Sequence, residues 1–225
     1  MSSAETTTPD TSPLSIALPK GRLLDSITEA FRNVSIDVSF DNRKLVSEDT
    51  SQGLEFFLVK NSDLPVYVNF GIAGLGICGE DVLYESSFPL VRLATFPFGS
   101  TRMCLAHRAD HDPSADVGTL SVATKFIRFA RDYFHRLGIP VQVIRLNGSV
   151  ELAPVLGLCP YIVDLVETGS TLKANNLVVA KELAVMQVHL VANPAYYKFH
   201  YKRVNDFVRR LLDNHIAEPI ATSWS

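Results

Sequence analysis

Short apolar runs alternate with longer stretches of helical spacing from Leu14 onward. That alternation predicts an α/β protein with a mainly parallel sheet. Leu14–Leu18 reads as a strand, and Pro19-Lys20-Gly21-Arg22 turns it into a helix near Leu23–Arg32. Leu54–Lys60 is a second strand, followed by a helix that Ser62 or Asp63 could cap, with Pro65 in its first turn. The glycine-rich stretch 71–79 holds a short strand, and Asp81–Glu85 begins another helix.

The pattern repeats after Val91–Phe96, where a second unit is expected to begin. Arg102–His107, Leu120–Thr124 and Val141–Leu146 read as strands. Between the last two, Phe126, Phe129, Ala130, Tyr133, Phe134 and Leu137 make one apolar stripe at helical spacing, ended by Gly138. Val150–Leu156 predicts a short helix containing Pro154, and Leu177–Val191 one or two strands. Tyr197–Leu212 predicts one closing amphipathic helix with Phe199, Val204, Phe207, Val208 and Leu211 inward. Its basic residues form a solvated face or a partner surface.

Composition narrows the classes. Of 225 residues, 47% are hydrophobic and 20% charged, as in ordinary globular proteins. The net charge of −3 supplies no broad cationic field, so nucleic acid is not an expected partner. Cys78, Cys104 and Cys159 show no C-x-x-C spacing and sit in apolar stretches, so buried free thiols are expected. His107, His111 and His135 read as surface residues, and the histidines show no zinc-ligand spacing. Met1–Pro13 is polar, without a basic n-region or apolar h-region, and reads as a disordered tail rather than a secretory signal. No run approaches a transmembrane length, so a cytoplasmic protein without membrane association is expected.

The segment Asp164–Asn175, DLVETGSTLKAN, carries the most chemistry. It follows the apolar run Tyr161–Val163 and places small and hydroxylated residues where a strand hands over to a helix. Gly169 can take positive φ, letting backbone N–H groups converge on an anion. Thr168, Ser170 and Thr171 can donate to phosphate oxygens, whereas Asp164 and Glu167 suit sugar hydroxyls or bound Mg²⁺. The same residues also fit an ordinary turn with Ser170 or Thr171 as N-cap.

Six segments in order resemble the catalytic subunit of ATP phosphoribosyltransferase in its short form. They are ALPKGRL at 17–23, RKL at 43–45, SDLPVYVNFGIAGLGICGEDVL at 62–83, VATKF at 122–126, NGSVELAP at 147–154 and DLVETGSTLKAN at 164–175. The resemblance implies the first step of histidine biosynthesis, a glycosyl transfer in which N1 of ATP attacks C1 of phosphoribosyl pyrophosphate. The products are N1-(5-phosphoribosyl)-ATP and pyrophosphate. It implies a two-domain fold like type II periplasmic binding proteins, with the active site in the interdomain cleft. Domain I would comprise 14–94 and 182–225, and domain II 95–181. Resemblance to the short form implies that the long form's extra regulatory domain is not expected, and that the chain would act with a regulatory subunit similar to histidyl-tRNA synthetase in a hetero-octamer. Mg²⁺ would arrive chelated by the substrates.

Residue roles follow from the same resemblance. Asp164, Glu167, Thr168, Gly169, Ser170, Thr171 and Leu172 would bind phosphoribosyl pyrophosphate. Lys20, Gly21, Arg22, Arg43 and Glu151 would bind ATP or pyrophosphate, with Arg43 and Lys20 as the catalytic cations that stabilise the leaving group. Arg43 also fits a surface ion pair, Glu151 a helix N-terminal carboxylate, Asp164 a loop anchor, and Lys20 and Arg22 solvated turn positions. Lys125 starts a helix, an unfavourable dipole position for a cation that points toward binding. Two positions depart from the family pattern: Gly74 stands where Asp is common, and Thr101 where Cys is common. A non-catalytic small-molecule binding protein, or a degenerate subunit of the same fold, is the alternative; the fold alone does not separate them.

Overall fold

The computed structural model describes residues 12–41, 44–115 and 118–220. The expected tail therefore lies, apart from Ser12 and Pro13, outside the described residues, as does Arg43. The chain divides into two compact units. The first is drawn from Met1–Cys78, Phe88–Phe96 and His189–Ser225, the second from Gly79–Ser87 and Pro97–Val188.

In the first unit β1 (Leu14–Pro19) lies between β3 (Leu54–Val59) and β4 (Leu75–Gly79), parallel to both. The short β2 (Val46–Asp49), not anticipated from the sequence, pairs antiparallel with β3. Both faces of β1 are covered, which explains its unbroken apolar run: Ile16, Ala17 and Leu18 are all 0% exposed. Helix α1 (Arg22–Arg32) buries Ile27 and Phe31. The Phe31 ring packs against Phe56 and Phe207, with centroids 6.3 and 6.1 Å away. Helix α2 (Leu64–Asn69) starts with Pro65 in its first turn, but Asp63 at its N-cap makes no side-chain capping bond.

The expected closing helix is two helices. Asn193 caps α7 (Pro194–Phe199), its side chain accepting from the N–H groups of Ala195 and Tyr196. His200 leaves helical geometry, and α8 (Tyr201–Asp213) follows. Val204, Phe207, Val208 and Leu211 face inward as expected, but the break removes Phe199 from that stripe and leaves it 84% exposed.

In the second unit β6 (Leu120–Thr124) runs parallel to β7 (Val141–Arg145) on one side and to β8 (Tyr161–Val166) on the other. Residues 102–107 of the 18-residue strand β5 (Val91–Arg108) pair antiparallel with β8. Strand β9 (Leu177–Ala192) is continuous over 16 residues. Helix α4 (Ile127–Arg136) buries Phe129, Ala130 and Phe134. The short helices α5 (Leu152–Val155) and α6 (Ser170–Ala174) complete the unit with α3 (Glu80–Ser86).

The place of α3 differs from the expected boundary, which put it in domain I. Its polar contacts explain this: Tyr84 donates to Asp132 at 2.8 Å, and Glu85 accepts from the N–H groups of Arg128 and Phe129 at 3.2 and 2.8 Å. The cysteines are free and buried, as expected. His107 is not on the surface. It is 8% exposed, its Nδ1 lies 2.6 Å from the Arg108 carbonyl, and its ring packs on Tyr161 and His111.

Candidate active site

In an α/β sheet the carboxyl ends of parallel strands, where chain turns into helix, are the natural ligand positions. The second unit concentrates its candidate residues there. Strand β8 ends at Val166, and the chain passes through Glu167 and Thr168 to Gly169, which adopts φ 77° and ψ 4°. That left-handed conformation is the one a side chain resists. No side chain caps α6, so neither Ser170 nor Thr171 serves as its N-cap. Instead Thr168 Oγ1 sits 3.1 Å from Ser170 Oγ and 3.4 Å from its N–H, gathering two hydroxyls at one exposed turn. Leu172 points the other way: its side chain is buried with Cys104, Ile162 and Val166, so it anchors the turn and leaves only its backbone for a ligand.

Asp164 lies on β8 just before this turn. Its Oδ1 is buried without a hydrogen-bond donor, and Lys125 Nζ approaches it only to 3.8 Å, an ion pair beyond hydrogen-bonding distance. Burial pushes the Asp164 carboxyl above the usual range; the Lys125 charge opposes this, and the nearby Glu151 carboxylate reinforces it. Glu151 is half-buried at the start of α5, so the structure does bring Asp164, Glu151 and Lys125 together. The Lys125 turn is fixed by Thr124, whose Oγ1 donates to the Val163 carbonyl at 2.6 Å and accepts from the Phe126 N–H at 2.9 Å.

Asp81 joins this electrostatic set and was assigned no role from sequence. It is 7% exposed, and burial raises its carboxyl, while the Val82 N–H and the Lys125 charge act the other way. Its position at the start of α3, beside Gly79, was visible; its burial was not. A separate cavity of about 340 Å³ lined by Arg108, His111, Ser121 and Pro160 lies at the opposite, amino ends of β6 and β8.

In the first unit Lys20, Gly21 and Arg22 occupy the carboxyl end of β1. Gly21 is the N-cap of α1 at φ 100°, with open space where a Cβ would stand. No side chain caps α1, so its first N–H groups and the exposed Lys20 present positive potential at one turn. Of the RKL segment, Lys44 is described and is paired with Asp41 at 2.7 Å.

A family model described as "HisG: ATP phosphoribosyltransferase" matches residues 60–213. The chain is 38% identical over 205 residues to an ATP phosphoribosyltransferase of Brachyspira hyodysenteriae, covering 89% of this chain and 97% of that one. It is 42% identical over 201 residues to that of Caldanaerobacter subterraneus, covering 88% and 95%. Among solved structures, the ATP phosphoribosyl transferase (HisG:HisZ) complex from Thermotoga maritima matches with TM-score 0.76 and 34% identity, over 89% of this chain and 98% of that chain. The periplasmic aliphatic sulphonate binding protein SsuA from Escherichia coli matches with TM-score 0.61 at 14% identity, over 90% and 72%, a likeness of fold alone. The fold is thus of the type II periplasmic-binding-protein kind, and the chain belongs to the ATP phosphoribosyltransferase family.

Proposed function

We propose that the chain transfers the phosphoribosyl group of phosphoribosyl pyrophosphate to N1 of ATP, giving N1-(5-phosphoribosyl)-ATP and pyrophosphate in histidine biosynthesis. The observation that carries this reading is the β8–α6 turn: Gly169 at φ 77° beside two adjoining hydroxyls, preceded by a carboxylate with an orphaned buried oxygen. A 5-phosphate suits the exposed turn, where Thr168, Ser170 and Thr171 donate. Asp164 Oδ1, lacking a donor, suits a ribose hydroxyl, and Glu151 is a second carboxylate within its electrostatic reach.

Displacement at C1 builds positive charge on the ribose and negative charge on the departing pyrophosphate. Asp164 and Glu151 favour the first by their charge. Lys20 and Arg22, with Arg43, favour the second; a guanidinium can take pyrophosphate oxygens in pairs. No covalent nucleophile is required, because holding both substrates in line supplies much of the rate. Mg²⁺ enters with the polyphosphate substrates as their counter-ion. A regulatory subunit resembling histidyl-tRNA synthetase, in a hetero-octamer and in the cytoplasm, completes the reading.

Calorimetric titration with phosphoribosyl pyrophosphate tests the donor site. Thr168→Val with Ser170→Ala should weaken binding about tenfold or more, since hydrogen bonds to charged groups are lost. Ribose 5-phosphate should compete in the unaltered protein. Unchanged affinity in the variant would remove the turn from the donor site.

A further inference from the structure

We propose that Lys125, Arg131 and Arg145 form a pocket for a polyphosphate anion, separate from the turn at Gly169. These three cations, with Glu85, Ile127 and Val143, line a cavity of about 350 Å³ in the second unit. Lys125 lies in the connection between β6 and α4, Arg131 on α4 and Arg145 on β7. Arg145 ends β7 and is in register with Thr124, the residue before Lys125. Arg131 follows Ile127 by four residues on α4, so both occupy one helix face. Ile127 and Val143 give the cavity an apolar wall.

Charge accounting points to an anion. Glu85 is the single carboxylate lining the cavity, and both of its oxygens already accept from the N–H groups of Arg128 and Phe129. Asp132, on the same helix as Arg131, accepts from the Tyr84 hydroxyl and pairs with Arg128. Asp164 is paired with Lys125. Among the described residues Arg131 and Arg145 thus have no carboxylate partner. Like charges converging on one concavity repel, and the repulsion strengthens as water is excluded. An anion of several charges relieves it. Two guanidinium forks and one ammonium suit linked phosphates better than a lone carboxylate. The chain of a nucleoside triphosphate and free inorganic triphosphate share that chemistry.

This inference goes beyond the donor turn and is tested without catalysis. The full chain is titrated calorimetrically with inorganic triphosphate and, separately, with ATP at low salt. Arg131→Gln and Arg145→Gln should each weaken triphosphate about tenfold or more, while Arg136→Gln, on the same helix but outside the cavity, should not. Parallel weakening of ATP identifies the nucleotide's phosphates as the natural occupant; unchanged ATP affinity identifies a free polyphosphate. Gly169→Val should leave triphosphate binding intact, which separates this pocket from the donor turn. Wild-type triphosphate affinity in both arginine variants, or loss of that affinity in Gly169→Val, would overturn the proposal. Should Arg131→Gln fail to fold, Arg145→Gln, at an exposed strand end, carries the test alone.

Discussion

Gly74 and Tyr196 fill one space: a Cβ on Gly74 would lie 2.2 Å from the Tyr196 ring. The surrounding bonds fix both residues. The Gly74 N–H donates to Ser15 Oγ at 2.8 Å, the Ser15 N–H donates to the Tyr196 hydroxyl at 3.3 Å, and the Asn193 N–H donates to the Gly74 carbonyl at 3.0 Å. The space beside Gly74 is therefore taken by an aromatic ring from α7, which also contacts His200 at 4.2 Å between centroids. Gly74→Asp alone should cost about 1–3 kcal/mol through overpacking, lowering Tm by roughly 2–4 °C per kcal/mol in a chain of this size. Combining it with Tyr196→Ala should recover part of that loss, a coupling of about 0.5–3 kcal/mol. Strict additivity in thermal melts would show that the ring does not exclude a side chain at 74.

Gly169→Val places a β-branched residue at φ 77°, a conformation costing about 1–3 kcal/mol. The expected result is loss of phosphoribosyl pyrophosphate binding in a protein that still folds, because the rest of α6 is anchored by the buried Leu172. Calorimetry on the folded variant measures it, and an unchanged Kd would contradict the assigned role.

Asp164 should make stability depend on pH in a particular direction. Its folded-state carboxyl is raised by burial, so the native protein binds its proton more readily than the unfolded chain. The resulting penalty is present above the raised value and disappears as pH falls below the ordinary carboxylate range, near about 4. Asp164→Asn should therefore raise Tm at neutral pH, with the gain shrinking toward acid, while phosphoribosyl pyrophosphate affinity falls. A gain that grows toward acid, or unaltered affinity, would contradict this.

Glu85 fastens α3 to the start of α4. Removing it with Glu85→Ala leaves two helix N–H groups without this acceptor, at about 0.5–2 kcal/mol. A lower denaturation midpoint is expected, with faster amide exchange in the first turn of α4. An unshifted midpoint would mean that water replaces the carboxylate at no cost.

Much of the scaffold was legible because its elements are locally consistent. The buried run at 14–18 and the stripe from Phe126 to Phe134 became β1 and α4 with little shift. Val91–Phe96 and Arg102–His107 read as separate segments, yet β5 runs through both as one strand. His200 carries no breaker signal, so the division between α7 and α8 was hidden, as was the burial of His107, which depends on rings brought from distant sequence. Of the candidate site, the left-handed conformation of Gly169 was readable from residue types alone. The joint position of Asp164, Glu151 and Lys125, and the burial of Asp81, come from tertiary packing. The convergence of Arg131 and Arg145 has the same origin.

The most direct test is product formation. The folded protein is mixed with ATP, phosphoribosyl pyrophosphate and Mg²⁺, with and without a subunit resembling histidyl-tRNA synthetase, and N1-(5-phosphoribosyl)-ATP is measured alongside pyrophosphate. Equimolar appearance of both products in at least one mixture, lost in Gly169→Val, is the expected result. Absence of phosphoribosyl-ATP from both mixtures, with binding of the donor intact, would mark the chain as a non-catalytic member of the family and contradict the proposed activity.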